Sequence, residues 1–360
     1  MKSAGAGRVD TVLLFSTTYH ADPRPVVAAA CDAARGARVV GCSASGVLTG
    51  EGEIEEGAGI VAMAIPACDD VVLSKPFMCA PPGSMPANEL GGIAGVEHGV
   101  AMILADGYSA HPERVAELVS KEIPAGIPVV GGLAVGPSGV MPAFRWLDDQ
   151  IASHGVAGLF LGTRTETVVE LAQGCRPIGP AYTVTKAQGN VIAGLDHAPA
   201  FQVFAERVGP LSSDLLRAAQ SVFLAVPEGD GEPEGTALLV RGFLKFDPER
   251  GLLAMSEPIA EGTRVRFALR DALAGRENLQ SMLARAKQRL RGRQPRLGVY
   301  FNCAGRGRAM FGVDDHDVAY IQSALGHFPL VGFFGGGELA PLAGRSRLHL
   351  FSGVLVMVTG

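Results

Sequence analysis

The sequence predicts an α/β protein whose layered mixed sheets are built from a repeated unit of strand, helix, strand, glycine turn and strand. Three observations lead to this prediction. Short apolar runs of strand length alternate with segments whose apolar residues recur at helical spacing. Glycines follow the second strand of each unit, and the unit occurs three times. Strands that alternate with helices are typical of parallel strand pairs.

The first copy begins with the apolar run T-V-L-L-F-S at residues 11–16, which has strand character. Asp22 and Pro23 favour a helix start, since Asp caps helices and Pro fits the first helical position. The helix runs to about Arg35. A second strand at residues 38–41 then leads into the glycine turn C-S-A-S-G.

The second copy repeats this order with strands at residues 100–105 and 127–131 and a helix that opens at His111 and Pro112. Two stretches of this copy align with the first copy without a gap. They are Y-S-A-H-P at 108–112 with Y-H-A-D-P at 19–23, and V-V-G-G-L-A-V-G at 129–136 with V-V-G-C-S-A-S-G at 39–46. The two copies are therefore an internal repeat.

A weaker third copy has a strand at residues 297–303, a helix at 313–325 and a strand at 330–332 followed by glycines. Each copy is followed by a further apolar strand. These strands are residues 57–65, 155–162 and 352–358. Because βαβ crossovers bring strand ends together, the glycine turns should gather at one edge of the sheets, where ligands usually bind.

A different block separates the second and third copies. It contains two strands at residues 180–195 joined by a turn at 188–190, and a helix at 199–220 interrupted at Gly209 and Pro210. Further strands are expected at 221–226, 238–246, 251–255 and 265–268, before an amphipathic helix at 277–291. This change of pattern predicts two domains, residues 1–196 and 197–360.

Composition excludes several classes of function. The net charge of −5 and the absence of a large basic patch argue against nucleic acid as a partner. No apolar run is long enough to cross a membrane and the N-terminus lacks a signal-peptide core, so we expect a cytoplasmic protein without a membrane partner. The six cysteines form no C-x-x-C pair and the histidines lack ligand spacing, so neither a metal nor a cofactor is predicted.

The predicted binding region comprises residues 300–307 (Y-F-N-C-A-G-R-G) and 329–341 (P-L-V-G-F-F-G-G-G-E-L-A-P). An arginine suits a carboxylate and a glutamate suits an ammonium group, so Arg306 and Glu338 could hold the two ends of an amino-acid-like zwitterion. The candidate ligand-binding residues are Asn302, Cys303, Arg306, Gly307, Arg308, Gly335, Gly336, Glu338, Gly41, Cys42, Ser43 and Asp106.

Each candidate also has a structural interpretation. The glycines at 335–337 could cradle a ligand or form a tight strand exit. Glu338 could instead accept backbone N–H groups, Arg306 and Arg308 could be surface residues or partners of Glu338, and Asp106 could cap a helix. The run around Ser43 is not a G-x-S-x-G motif, so turn formation is the better interpretation there.

Several of these segments resemble the FIST proteins. The motifs that carry the resemblance are V-V-G-C-S-A-S-G-V-L (39–48), G-C-R-P-I-G-P-A (174–181) with D-H-A-P-A (196–200), N-C-A-G-R-G (302–307) and P-L-V-G-F-F-G-G-G-E-L-A-P (329–341). The resemblance covers nearly the whole chain, first as a FIST N and then as a FIST C region. It implies a sensory module of signal transduction that binds amino acids or similar small molecules.

Our first functional hypothesis is therefore a stand-alone cytoplasmic small-ligand sensor, with its pocket where the N- and C-terminal regions meet. No kinase, cyclase or other signalling stretch is evident, so a separate signalling protein is the expected partner. The second hypothesis is a thiol or acyl-transfer enzyme that uses Cys303, with Asn302 or glycine N–H groups stabilising an oxyanion. A buried apolar cysteine is the alternative interpretation of Cys303. The third hypothesis is a docking or scaffold protein.

Overall fold

The computed structural model describes residues 8–20, 22–79, 90–107, 111–137, 142–227 and 238–360. It divides into two compact units, one formed by Met1–Ala172 with Asn278–Gly360 and the other by Gln173–Glu277. The first unit therefore contains both ends of the chain. The domain boundary predicted at residue 196 divides the sequence into two regions, and it stays a prediction. Part of the repeated motif at 108–112, residues 108–110, lies outside the described residues.

The helices of the described residues follow the predicted pattern closely. They are α1 (Arg24–Ala34), α2 (Pro112–Glu122), α3 (Ala200–Val208), α4 (Leu215–Ser221), α5 (Ala272–Leu290), α6 (Arg308–Phe311) and α7 (His316–Leu325). A 3-10 helix at Gly209–Ser213 separates α3 from α4, so the predicted interruption at Gly209 and Pro210 is confirmed.

The strands are more numerous than predicted, and most of the predicted ones are longer. They are β1 (Val9–Thr17), β2 (Arg38–Ala44), β3 (Gly46–Thr49), β4 (Gly52–Ile54), β5 (Ile60–Pro66), β6 (Val71–Cys79), β7 (His98–Asp106), β8 (Val129–Ala134), β9 (Arg145–Leu147), β10 (Gln150–Ala152), β11 (Val156–Thr163), β12 (Val168–Gln173), β13 (Cys175–Gln188), β14 (Val191–Leu195), β15 (Ala198–Pro199), β16 (Val222–Pro227), β17 (Leu238–Arg241), β18 (Phe243–Asp247), β19 (Leu252–Met255), β20 (Arg264–Arg270), β21 (Pro295–Cys303), β22 (Leu330–Gly335), β23 (Glu338–Leu342), β24 (Arg345–His349) and β25 (Ser352–Thr359).

The described residues of the first unit form three sheets, one for each predicted copy of the repeat. In the first sheet β1 pairs with β2 in parallel and with β5 antiparallel. Strand β7 has the same relation to β8 and β11, and β21 to β22 and β25. The α/β fold and the threefold repetition are thus confirmed. We call these sheets the first, second and third sheet.

Short hairpins pass from each copy into a neighbouring sheet. The β3–β4 hairpin of the first copy pairs with β22 of the third sheet. The β9–β10 hairpin of the second copy pairs with β2 of the first sheet, and the β23–β24 hairpin of the third copy pairs with β8 of the second sheet. The exchange forms a closed cycle that joins the N- and C-terminal regions of the chain. It was not predicted.

The linkers between the copies add further strands to two of the sheets. Strand β6 follows the first copy and pairs with β11 at the edge of the second sheet. Strand β12 follows the second copy and lies next to β25 at the edge of the third sheet. In the first sheet, β5 has the position of β11 and β25 and is itself the edge strand.

The inner faces of the three sheets meet in a common apolar core. Phe15, Phe301 and Phe333 contribute one aromatic ring from each of β1, β21 and β22. The ring of Phe333 lies 4.8 Å from that of Phe15 and 5.7 Å from that of Phe301, measured between centroids. The outer faces carry separate clusters, such as Val27 of α1 against Trp146. Alternating burial of strand side chains on both faces produces this layered arrangement.

The second unit contains a mainly antiparallel sheet with the strand order β17-β16-β20-β13-β14-β19-β18. The predicted turn at 188–190 joins β13 to β14. The strand predicted at 238–246 is two strands, because residue 242 leaves the ladder and its carbonyl accepts the N–H of Ser256. Helix α3 covers the sheet with Phe204, whose ring stacks on Phe246 at 4.8 Å.

Candidate functional site

Arg306 follows the carboxyl end of β21 and is fully buried, with 0% of its surface exposed. Its Nε and Nη2 atoms each lie 3.1 Å from Oδ2 of Asp317 on α7. The hydroxyl of Tyr300 donates to the same oxygen at 2.7 Å. The interpretation of Arg306 as a surface residue is therefore wrong, and its ion-pair partner is Asp317 rather than Glu338. Its Nη1 atom makes a longer contact of 3.5 Å to the carbonyl of Phe351.

His316 extends this buried network. Its Nδ1 atom lies 2.8 Å from Oδ1 of Asp317, and its ring stacks on Phe311 at 3.6 Å with an interplanar angle of 5°. Burial alone would raise the pKa of Asp317. The charge of Arg306 and the hydrogen bonds from His316 and Tyr300 outweigh burial and lower this pKa to about 2. Asp317 is therefore an anion held by three neighbours.

The exchanged hairpin from the first copy brings two carboxylates to the same end of the third sheet. Glu53 accepts the N–H of Val318 at 3.0 Å, and Glu55 accepts the N–H of Arg308 at 2.7 Å. Both bonds satisfy N–H groups in the first turn of a helix. Burial and then the charge of Asp317 raise the pKa of Glu53 to about 8.

Gly307 and Arg308, both predicted to bind ligand, are involved in this capping. The Glu55 carboxylate lies against Gly307, and a Cβ atom there would collide with it. The N–H of Arg308 is already bonded to Glu55, while its guanidinium is largely exposed and lies 3.5 Å from Asp314. These two residues thus have a structural explanation.

Glu338 begins β23 and is 1% exposed. Its Oε2 atom accepts the hydroxyl of Ser352 at 2.6 Å and the N–H of Ser352 at 3.3 Å. Within the described part of the chain its Oε1 atom has no hydrogen-bond partner. Burial raises the pKa of Glu338 well above its ordinary value, with Ser352 and Arg306 acting in the opposite direction.

Cys303 ends β21 on the inner side of the third sheet, close enough to Glu338 for the two groups to interact electrostatically. Burial, followed by the charge of Glu338, raises the pKa of this thiol to about 12, although the N–H groups of Gly305 and Phe351 and the charge of Arg306 act against the rise. The thiol is therefore protonated at neutral pH. An activated nucleophile would require the opposite shift.

Asn302 points to the other face of the same strand. Tyr300 packs in the cluster around α7 and Phe301 in the common core, so alternation places Asn302 with Tyr300 and Cys303 with Phe301. The side-chain oxygen of Asn302 accepts the N–H of Cys303 at 3.1 Å. Its Nδ2 atom is buried and has no partner among the described residues. The structure thus separates Asn302 from Cys303 and Glu338.

The glycines at residues 335–337 lie against β8. The N–H of Gly336 donates to the carbonyl of Leu133 at 3.0 Å, and the N–H of Leu133 donates to the carbonyl of Gly337 at 2.9 Å. A Cβ atom on Gly335 would lie 2.7 Å from the Leu133 carbonyl oxygen. The glycines therefore permit close approach of two strands, which agrees with the strand-exit interpretation.

The candidates of the first copy hold neighbouring sheets together. Ser43 donates its hydroxyl to the carbonyl of Val135 and accepts the N–H of Phe144, both at 2.8 Å. A Cβ atom on Gly41 would collide with the backbone of β1. Cys42 is fully buried, and burial raises the pKa of its thiol. The turn-forming interpretation of this run thus agrees with its contacts.

Asp106 is buried at the end of β7 and accepts the N–H of Gly155 at 3.0 Å. The N-cap position of the next helix, α2, is occupied by His111. Arg145 of β9, which sequence reasoning missed, places its Nη2 atom 3.5 Å from Asp106 and donates from Nη1 to the carbonyl of Ala143 at 2.9 Å. Arg145 is fully buried, and burial lowers its pKa. A lone arginine beside Trp146 gave no sequence signal that it would be buried.

Neither a metal centre nor a membrane span emerges from the described residues. No group of three or more His, Cys, Asp or Glu side chains in them is arranged to hold a metal ion. None of the helices they form has both the length and the apolar character needed to cross a bilayer.

Comparison with known proteins gives a consistent match over the whole chain. The FIST N domain matches residues 10–198, and the FIST C domain matches residues 200–341. The uncharacterized protein Rv0628c of Mycobacterium tuberculosis is 31% identical over 363 aligned residues, which cover 98% of this chain and 92% of the relative. The uncharacterized protein Mb0898c of Mycobacterium bovis is 32% identical and covers 98% and 91% respectively. The chain therefore belongs to the FIST family, whose domains are sensory domains of signal transduction.

Proposed function

We propose that this protein is a stand-alone cytoplasmic sensor that binds an amino acid or a related small metabolite at the carboxyl end of β21. The observation that carries the proposal is the buried Oε1 atom of Glu338, which has no hydrogen-bond partner among the described residues. A buried polar atom without a partner costs about 1–3 kcal/mol. Such atoms are retained where a ligand or another group completes their hydrogen bonds.

An ammonium group is the ligand group that suits Glu338. Burial raises the pKa of this carboxyl and favours its neutral form. A bound ammonium would favour the carboxylate instead, because opposite charges in a site of low dielectric attract strongly. Binding would therefore release a proton from Glu338, and the affinity should increase with pH.

Arg306 supplies the second anchor, although most of its guanidinium is engaged by Asp317. Among the described residues, its Nη1 atom makes only the 3.5 Å contact to the Phe351 carbonyl. This atom can therefore donate to a ligand carboxylate while Nε and Nη2 remain bonded to Asp317. The charge of Arg306 also acts on the pKa of Glu338, which indicates that the two groups are close. This pair suits a zwitterion.

The turn before β25 provides a route to these groups. Phe351 has a φ of 55°, a conformation that non-glycine residues adopt at some energetic cost. The neighbouring residue Ser352 donates a hydrogen bond to Glu338, and the carbonyl of Phe351 faces Arg306. Displacement of residues 350–352 would uncover both anchors at once. The same movement would report ligand binding to a separate signalling protein.

A thermal-shift screen against the standard amino acids, related amines and acyl thioesters tests the proposal. A ligand at about one hundred times its dissociation constant stabilises the folded state by roughly 2.7 kcal/mol. We expect a shift with an amino acid or amine that is lost in Glu338→Gln. Glu170→Gln is the matched control, since Glu170 is also buried but pairs with Arg285 and Arg289. An unchanged shift in Glu338→Gln would rule out this site.

The two alternatives predict different results in the same screen. A thiol or acyl-transfer enzyme should respond to thioesters and release thiol, but the protonated, buried thiol of Cys303 does not favour that chemistry. A docking or scaffold protein should respond to none of the compounds.

A further inference from the structure

The three sheets of the first unit are equivalent in their three central strands but differ at one edge. The edge strand β11 of the second copy is covered by β6, and the edge strand β25 of the third copy is adjoined by β12. The equivalent strand of the first copy, β5, ends its sheet, and no strand formed by the described residues pairs with its outer edge. Within the described ranges, the second and third copies thus have a covering strand at this edge and the first copy has none.

The hydrogen bonds between β1 and β5 show which backbone groups of β5 point away from the sheet. The N–H of Thr17 donates to the carbonyl of Gly59, so the odd-numbered residues of β5 direct their backbone groups towards β1. Ile60, Ala62 and Ala64 then direct their N–H and C=O groups outward. Backbone groups alternate in the same way in the second sheet. There the N–H of Asp106 donates to the carbonyl of residue 155, just before β11.

The outer face of β5 is also uncovered. Along the strand, Val61, Met63 and Ile65 are buried in the common core, whereas the alternate residues Ile60, Ala62 and Ala64 are exposed. Ile60 is 47% exposed. On the other two sheets the equivalent outer face is buried, for example Phe160 of β11 and Leu355 of β25.

Strand β5 has few of the features that prevent edge pairing. Residues 60–65 (I-V-A-M-A-I) carry no charge, although charged side chains usually protect an exposed edge. Only the far end is protected, by Pro66 and by a register shift between Val9 and Thr11. An uncharged edge of this kind is a template for strand addition.

We propose that β5 is the docking site for an extended segment of a partner protein, which adds to the first sheet as an antiparallel strand. The chemistry of this segment follows from the two strands that cover the equivalent edges. Both begin V-V, and both pack apolar side chains against the common core. In β6 these are Val71 and the half-buried Met78, and in β12 they are the alternate, half-buried residues Val169 and Leu171. The partner segment therefore alternates apolar residues on the side that faces the core.

Charge at the two ends of β5 favours a basic residue at the C-terminal end of the added segment. Glu55 and Glu56 precede β5, and Glu56 is exposed. An antiparallel segment would place its C-terminal end there. A second copy of this chain would place its own Pro66 end beside Glu56, where Asp69 is exposed and Asp70 is bonded to Arg296. A separate partner therefore fits this edge better than a second copy.

This inference depends on the proposed signalling role only for the nature of the partner, since the docking test measures backbone pairing and not ligand binding. The probe is a synthetic peptide of residues 165–173 (T-E-T-V-V-E-L-A-Q) with an added C-terminal lysine, which copies the covering strand β12. We expect it to bind the full chain and to slow amide hydrogen exchange at Ile60, Ala62 and Ala64, while exchange at Val61 and Met63 changes little.

Two variants at one position separate edge pairing from other modes of binding. Ala62→Pro removes an outward N–H without removing a bond to β1, and proline is tolerated at such edge positions. We expect Ala62→Pro to weaken peptide binding at least tenfold and Ala62→Val to retain it. Equal binding by the two variants would overturn the inference. So would slow exchange at Ile60, Ala62 and Ala64 in the free monomer, or a dimer of the protein that Ala62→Pro dissociates.

Discussion

Arg145 and Glu338 occupy equivalent positions in two copies of the repeat although their charges are opposite. Arg145 begins β9 and pairs with Cys42 of β2, while Glu338 begins β23 and pairs with Gly132 of β8. Each therefore enters a neighbouring sheet as the first residue of an exchanged hairpin. Arg145 then forms an ion pair with Asp106 of its own copy, whereas the charge of Glu338 raises the pKa of Cys303 at the end of β21.

The strand-end positions are equivalent as well. Thr17, Asp106 and Cys303 end the first strand of their copies, and each is bonded to the turn before the third strand. Thr17 donates to the carbonyl of Gly57, Asp106 accepts the N–H of Gly155, and the sulfur of Cys303 faces the N–H of Phe351. Three different side chains thus perform one structural task. In the part of the chain that the structure describes, the third copy also has a buried acceptor without a partner, Oε1 of Glu338.

Disrupting the Arg145 pair should be costly. Arg145→Met leaves the buried Asp106 carboxylate without its counter-charge, and loss of one partner of a buried pair typically costs about 3–5 kcal/mol. The double variant Arg145→Met with Asp106→Asn should lose less than the sum of the single variants, because the amide oxygen can still accept the N–H of Gly155. Urea unfolding of the four proteins measures this coupling, and strictly additive losses would contradict it.

Asp317 should make the folded state sensitive to acid. Its pKa is about 2 in the folded protein and close to 3.8 when exposed, so the folded state binds its proton less tightly than the unfolded state. The resulting stabilisation, on the order of 2 kcal/mol, is present above about pH 4 and is lost as the pH falls towards 2.

The comparison is the free energy of unfolding of wild type and Asp317→Asn between pH 2 and pH 6. The difference between the two proteins should shrink as the pH decreases. A difference that stays constant over this range would show that Asp317 does not titrate as described.

Glu53 should give the free energy of unfolding the opposite pH dependence to that given by Asp317. Its pKa is raised to about 8 in the folded protein, so its contribution to stability is present below about pH 4.5 and is lost as the pH rises through 8. Glu53→Gln keeps an acceptor for the N–H of Val318 but cannot ionise. We expect this variant to be more stable than wild type at pH 9 and similar at pH 5. Thermal unfolding at the two pH values measures the effect, and Glu51→Gln, an exposed change in the same turn, is the control.

The repeat could be predicted from the sequence because its signals are local. Helical spacing, a proline at the helix start and the ungapped match of V-V-G-C-S-A-S-G to V-V-G-G-L-A-V-G all lie within single copies. The hairpin exchange could not be predicted, since a strand of three to five residues carries no information about which sheet it joins.

The sequence predicted a candidate site at these strand ends but did not identify the ion-pair partner of Arg306. Arg306 and Glu338 lie near each other, yet Asp317 engages Arg306 because α7 folds back onto β21. In the sequence, Asp317 is one residue of the helix predicted at 313–325, and nothing marks it as a partner of Arg306. Arg145 was missed because an arginine beside a tryptophan is usually an exposed residue. Both errors concern buried charges, whose partners are set by tertiary structure.

The glycines after β22 allow a direct test of structural against ligand-binding roles. Gly335→Ala places a methyl group 2.7 Å from the carbonyl oxygen of Leu133, which is backbone and cannot move aside, so we expect a loss of about 1–3 kcal/mol. At Gly336 the nearest atoms to an added Cβ lie 3.7 and 3.8 Å away, which is ordinary contact, so Gly336→Ala should fold with near wild-type stability. Urea unfolding distinguishes the two. If Gly336→Ala abolishes the ligand-induced thermal shift at unchanged stability, that glycine contacts the ligand; if the shift persists, its role is limited to the contact with Leu133.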